Sequence, residues 1–402
     1  MNQGRTRLFA TTLLACLASL LIAYAVKTNC PPQDSGTYPE LCYTDIAALY
    51  LARGLDNGTI PYFDFPQGGS FDDPGFLEYP VLTGAVVTLT SLPSTTRQDY
   101  LAWNAVVLGS VALASAGLLT WIVGLSALRW SVAPALVLYV YNNWDILAVG
   151  CVVAGCVLAA RGRHTWAAFW FGAGAAFKLF PAVFVAPLFL DRISNGDRRG
   201  ALRVLAAAGA ALIIPNALVA VLTDGWWVTY RFHSQRGADL GSVWAWILPQ
   251  SAPASTVNVV STLPLVLGGI AILAVGWRWR DSDGRYPFLP VGSSLLALLI
   301  LTSKIGSPQQ ALWLLPSLAL LSTRLRWWLA WNGWAMLVFA ISFGVGLMGY
   351  DASMAPYADG FGALTRAALL IALIFVFLAA RPLAPVAGAQ QVAAAGTVPR
   401  FK

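Results

Sequence analysis

Charge is what this chain has least of. Only 11% of its 402 residues are Asp, Glu, Lys or Arg, and only two are histidine, so most of its length cannot form the solvated surface of a soluble domain. Several chemical signatures are missing as well. There is no P-loop, no paired-cysteine motif and no Ser-His-Asp order, which leaves nucleotide hydrolysis without support. Heptads and tandem repeats of fixed short period are also absent, so neither a coiled coil nor a solenoid is expected.

What is present is apolar length. Hydrophobic residues make up 58% of the chain, with seventeen Trp and a mean hydropathy of +0.66, and they fall in runs of about 15 to 25 residues split by short charged loops. The expected fold is an all-α polytopic membrane protein. The first apolar run, residues 8–26, is long for a signal-peptide core and lacks a small-x-small cleavage site, so it reads as a retained span with Arg5 and Arg7 inside. The net charge of +7 comes from arginines in loops that flank apolar segments. That is the positive-inside bias, and no nucleic-acid partner is expected.

This alternation predicts about twelve spans with both termini inside. Residues 79–92 read as the second span, with Arg97 inside, and residues 133–160 read as one span too long to be straight, loosened at Tyr141-Asn142-Asn143-Trp144-Asp145. The membrane domain is expected over residues 1–384, with exported loops at 27–78 and 223–257 and a disordered cytoplasmic tail at 385–402. Cys30 and Cys42 bracket the start of the first exported loop; a disulfide between them and two free thiols both fit the sequence.

Residues 42–80 hold Asp45, Asp56, Asp64, Asp72, Asp73 and Glu78, six of the eighteen acidic residues. Asp45 opens a short surface helix, where it serves either as an N-cap or as a catalytic or ligand-binding carboxylate. The loop from Pro61 to Pro74 interleaves aromatics with carboxylates, as sugar-binding surfaces do; its oxygens also suit a divalent metal, although their spacing matches no metal cage. Glu78 and Tyr79 stand where the chain re-enters lipid. Lys178 and Lys304 are each the lone cation between two apolar arms. With Arg231 and Arg236 they can hold a phosphate through charge-assisted hydrogen bonds. Asn142, Asn143 and Asp145 need partners inside an apolar helix, and His233 lies in the second exported loop.

The ordered set TDIAALYLARGL, LEYPVLTG, NNWDILAV, GAGAAFKLFP, YRFHSQRGADLGSVWA and LTSKIGSPQQALWLLP resembles glycosyltransferase family 87, the actinobacterial polyprenyl-phosphate-dependent membrane transferases that include mannosyltransferases. The resemblance spans nearly the whole chain. It implies the GT-C architecture, with Asp45 as the catalytic base of an inverting transfer; no cofactor is expected, and a divalent metal is possible but not indicated. The donor implied is a polyprenyl-phosphate sugar, probed first as mannose, and the acceptor a lipid or glycan at the outer face of the plasma membrane. By their place at the outer tips and loops, Lys178, Lys304, Arg236 and Arg231 are the candidate phosphate ligands. Glu78, Tyr79, Asp64, Asn143, Asp145, His233 and Gln309 are the candidate contacts to sugar or acceptor. Gln310 departs from the family, whose members often carry an aromatic after Ser-Pro-Gln. The competing class is a transporter or lipid flippase, which favours internal repeats and charges at the midplane; here the polar motifs crowd one face.

Overall fold

The structure, a computed structural model, describes residues 3–28, 44–281, 284–343 and 355–383. The Cys30–Cys42 pair and the 385–402 tail lie outside the described residues. Apart from a single bridge between Leu321 and Pro382, regular structure among the described residues is helical. Lipid offers the backbone no hydrogen bonds, so an apolar run must satisfy its own N–H and C=O groups, and a helix does so within one segment. Among the described residues, five helices are long and apolar enough to cross a membrane: Gln3–Thr28, Arg97–Ser131, Arg198–Leu222, Ala254–Arg278 and Asp359–Ala379.

The contacts between helices give the direction of each pass. Helix α1 (Gln3–Thr28) is followed by the short α2 (Asp45–Ala52) and α3 (Val81–Ser91), then by α4 (Arg97–Val123). Helices α1 and α4 are antiparallel, since Leu13 lies beside Gly117, Cys16 beside Ala112 and Leu20 beside Gly109. The chain then turns through α5 (Leu128–Ser131) and α6 (Pro134–Tyr139) and returns along α1. Ser19 Oγ donates to the Ser131 carbonyl at 2.7 Å, and the Tyr24 and Tyr141 rings meet edge-on at 6.3 Å.

Residues 133–160 are therefore a hairpin and not one tilted span. The polar break expected at 141–145 is its turn, and α7 (Asp145–Ala160) runs back along α4 until the Arg161 guanidinium covers Trp121 at 3.3 Å. A second correction concerns residues 79–97. Eleven residues of helix reach only about 16 Å, roughly half the hydrocarbon thickness. Tyr50 of α2 donates its hydroxyl to the Ser94 carbonyl at 3.0 Å and stacks on Tyr100 at 4.8 Å. Helix α3 thus dips in and returns, and Arg97 shares an end with α2. One face packs on protein, with Val81 and Val87 buried and Thr83 donating to the Phe177 carbonyl at 2.8 Å, while Leu89 on the other is 65% exposed.

Downstream, α8 (His164–Phe177), α9 (Val185–Ser194) and α10 (Arg198–Leu222) alternate in direction. Gly172 lets α8 and α10 touch backbone to backbone, because a Cβ there would lie 2.2 Å from the Ala208 carbonyl oxygen. Close approach through small residues is how helices pack without a hydrophobic driving force. Two short helices, α11 (Val228–Gln235) and α12 (Trp244–Ile247), precede α13 (Ala254–Arg278) and α14 (Phe288–Thr302). The chain closes with α15 (Leu315–Leu320), α16 (Leu325–Phe343) and α17 (Ala355–Ala379).

Buried tryptophans fill the centre, each with its indole N–H satisfied. Trp130 and Trp331 donate to the carbonyls of Ala112 and Ala311 at 3.1 and 2.9 Å, and Trp144 donates to Asn104 Oδ1 at 2.7 Å. The bundle has two unlike ends. One gathers α2, α3, α11 and the tips at Lys178 and Lys304; the other carries most of the arginines.

Candidate active site

At the Asp45 end, the segment before α3, the segment after α8, α11 and the end of α14 with the loop that follows it enclose a cavity of about 300 Å³. Its wall begins with Leu77-Glu78-Tyr79, which is tied from three directions. Tyr62 donates its hydroxyl to the Tyr79 carbonyl at 2.7 Å, and Thr229 Oγ1 lies 2.8 Å from the Leu77 carbonyl and 2.9 Å from that of Tyr79. Tyr62 is the one non-glycine among the described residues with positive φ, at 69°, a conformation that costs about 1–3 kcal/mol and persists only where its surroundings hold it. Its carbonyl accepts from Thr223 at 2.9 Å.

Asp45 is the first helical residue of α2, and Thr44 occupies the cap position with no side-chain capping bond. Capping therefore does not account for Asp45. Its backbone N–H donates to the Asn142 carbonyl at 2.8 Å, and its Oδ2 accepts from the Tyr79 hydroxyl at 3.2 Å. The Asp45 charge also acts on Lys27, which is buried at the end of α1. Asp45 meets the cavity through Tyr79, whose ring forms part of the lining.

On the other side of that ring stands Lys178. Its ammonium lies 5.4 Å from the Tyr79 centroid and 5.5 Å from that of Trp313, and it is ion-paired with the fully buried Asp145. The second oxygen of Asp145 accepts from Trp313 Nε1 at 2.7 Å, and Trp313 stacks on Phe180 at 4.1 Å. Lysine, carboxylate and indole thus form a chain that fixes the ammonium in the wall.

Glu78, Arg236 and His233 complete the polar lining. Arg236 approaches Glu78 at 3.9 Å and holds both carboxylate oxygens of Asp239 at 3.0 Å. His233 Nε2 donates to the Glu78 carbonyl at 2.9 Å, so Nδ1 is the acceptor nitrogen. Burial pushes the His233 pKa below 6.5; the Glu78 carbonyl and carboxylate oppose this, and the Arg236 and Lys178 charges add to it.

Several expected site residues take other places. Lys304 spends its ammonium on the carbonyls of His233 and Arg236, at 2.6 and 2.7 Å, and on Asn258 Oδ1 at 2.5 Å. Three donors meet three acceptors, so it clamps α11 to α13, and it is not among the residues that line the cavity. Arg231 lies over Trp227 and Phe71 at 5.4 and 5.9 Å, away from the cavity lining. Asp64 is exposed and accepts from the Ile60 N–H at 2.6 Å, which shapes its own turn. Asn143 and Asp145 are buried behind the wall, where Asn143 Oδ1 accepts from the Asp145 N–H at 3.0 Å. Gln309 does line the cavity.

One residue missed in the sequence stands out. Arg366 of α17 is buried and donates to Gln310 Oε1 at 3.1 Å and to the Gly241 carbonyl at 2.5 Å. Gln310, the residue after Ser-Pro-Gln, thus supplies an acceptor to this buried arginine. Arg366 also lines an adjoining hollow of about 600 Å³ that shares Arg236, Ser307 and Gln309 with the first. The signal was legible: Arg366 is the one cation inside the last apolar run. Among the described residues, no three His, Cys, Asp or Glu converge as metal ligands.

The family model "Glycosyltransferase family 87" matches residues 76–303. Among solved structures, ArnT from Cupriavidus metallidurans bound to undecaprenyl phosphate is similar, with 14% identity, a TM-score of 0.44, and coverage of 94% of this chain and 78% of that chain. No curated protein matches the sequence. The matched residues are more than half of the chain and contain Glu78, Tyr79, Lys178, His233 and Arg236 of the cavity, while Asp45 precedes them. The chain belongs to glycosyltransferase family 87 and is a multi-pass membrane glycosyltransferase.

Proposed function

We propose that this enzyme is of GT-C type. It moves a hexose, with mannose as the first candidate, from a polyprenyl-phosphate donor to a hydroxyl of a lipid or glycan acceptor, with inversion, at the outer face of the plasma membrane. One observation carries the reading. A carboxylate and an ammonium flank the same tyrosine ring at a cavity on the end of the bundle away from most arginines.

In this reading the acceptor oxygen attacks the anomeric carbon as the bond to the phosphate oxygen breaks, and the phosphate leaves with that electron pair. Asp45 takes the acceptor's proton. Phosphate is a good leaving group, so the second carboxylate that protonates the departing oxygen in glycosidases is not needed. Lys178 and Arg236 stabilise the charge that grows on the phosphate. Asp145 and Trp313 act behind Lys178 as positioning residues, and Glu78, His233 and Gln309 are available to sugar hydroxyls. Lys304 shapes the loop and leaves the set of phosphate ligands.

The test is transfer by purified protein in lipid, from radiolabelled polyprenyl-phosphate mannose to a cell-envelope lipid extract. Asp45→Asn is expected to lower turnover by about 10²- to 10⁴-fold, the usual contribution of a general base. Unchanged turnover in that variant removes Asp45 from the reaction. Labelling from another hexose donor in place of mannose corrects the sugar alone.

A further inference from the structure

The arginine-rich end carries a second polar hollow, of about 440 Å³, between the first turns of α8 and α10. Arg163, Arg192 and Arg203 line it against a single carboxylate, Asp197. That carboxylate is committed to the backbone, because its Oδ1 accepts from the Gly200 N–H at 2.8 Å and caps α10. Arg192 is partly neutralised by Asp191, at 2.6 Å, which His164 also approaches at 4.0 Å. Arg163 and Arg203 form no ion pair with the described residues. Thr165 adds a hydroxyl to the lining, and the adjoining first turn of α8 has no side-chain cap.

Arginines that only orient a membrane helix need nothing more than water around them. These three converge on one hollow with a surplus of positive charge, and its rim continues into lipid-facing apolar surface. Trp166 is 60% exposed and Phe169 38% exposed on α8; Leu202 is 65% and Leu205 46% exposed on α10. A donor-rich pocket at headgroup depth, joined to an aromatic and aliphatic strip, matches an amphiphile with a phosphate head. We propose that this hollow binds the headgroup of an anionic phospholipid from the leaflet at the arginine-rich end, with its acyl chains along α8 and α10. The guanidinium fork suits phosphate oxygens, and basic pockets between membrane helices hold such headgroups. A free phosphate could meet the same arginines but would leave the apolar strip unused.

The full-length protein is delipidated in detergent and offered phosphatidylglycerol, phosphatidylcholine or inorganic phosphate at equal concentration. Native mass spectrometry reads lipid retention, and the thermal midpoint reads stabilisation. Phosphatidylglycerol is expected to be retained over phosphatidylcholine and to raise the midpoint, with inorganic phosphate raising it far less. The pair Arg163→Gln and Arg203→Gln should weaken retention about 25-fold, from about fivefold per arginine near an anionic lipid. Arg324→Gln with Arg326→Gln changes two exposed arginines outside the hollow and should leave retention unchanged. Asp45→Asn should also retain the lipid in full, which keeps this test independent of the proposed reaction. Equal loss in both arginine pairs, or inorganic phosphate matching the lipid's thermal shift, overturns the proposal.

Discussion

Lys178 is at once a ligand candidate and half of a buried ion pair, and the two roles separate by mutation. Removing one partner of a buried pair leaves an uncompensated charge and costs about 3–5 kcal/mol, whereas replacing both by apolar residues is often neutral. Lys178→Ala is therefore expected to lower the thermal midpoint sharply, because Asp145 is fully buried. Lys178→Met combined with Asp145→Leu should recover most of that stability and still lack turnover. Recovery of turnover in the double variant would confine Lys178 to a structural part. His233 gives a pH signature. Its folded pKa lies below 6.5, so between those two values the unfolded chain holds more protons than the folded one. Stability is expected to fall as pH drops through about 6.5 towards the folded value. His233→Gln, which keeps a donor for the Glu78 carbonyl, should flatten part of that slope. At this scale the sequence was informative where a polar group stood alone between apolar arms, as Lys178 does; Glu78 and His233 stood in polar loops. It could not say that Lys178 would find Asp145, 33 residues away, or that all the donors of Lys304 would be taken by the protein itself.

Among the elements, α3 shows where hydropathy misleads. One face packs against α8 and the Tyr62 ring while Leu89 is exposed, and an eleven-residue run cannot reveal which of its surroundings are lipid and which protein. The structure predicts that Gln98→Cys, in a background lacking Cys30 and Cys42, reacts with a membrane-impermeant maleimide from the same side as Asp56→Cys. Reaction from opposite sides would restore α3 as a crossing. The hairpin of α6 and α7 was half visible: the polar break was legible, but its reversal of direction depends on Ser131 meeting Ser19. The tip after α14 depends on glycine. A Cβ on Gly306 would lie 1.9 Å from the Gly241 carbonyl carbon, so Gly306→Ala should push the two strands of loop apart. Donor affinity is expected to fall while helix content by circular dichroism stays constant.

Across the whole molecule, the arginine clusters were the most legible feature, since loop charge alone separated the two ends. The cavity was not, because its wall collects residues from 78 to 313 whose proximity only the packing determines. If the Asp45 end is outside, Asp56→Cys should label in intact cells and Arg199→Cys only after permeabilisation; the reverse order would move the reaction to the cytoplasmic face. Tyr79 has one further consequence. A single phenol spans the gap between the carboxylate of the first loop and the ammonium after α8, so a tilt of that ring would misalign proton acceptance and leaving-group departure together. The two halves of the transfer would then fail as one trait, and an inherited change at this position could not weaken either of them alone.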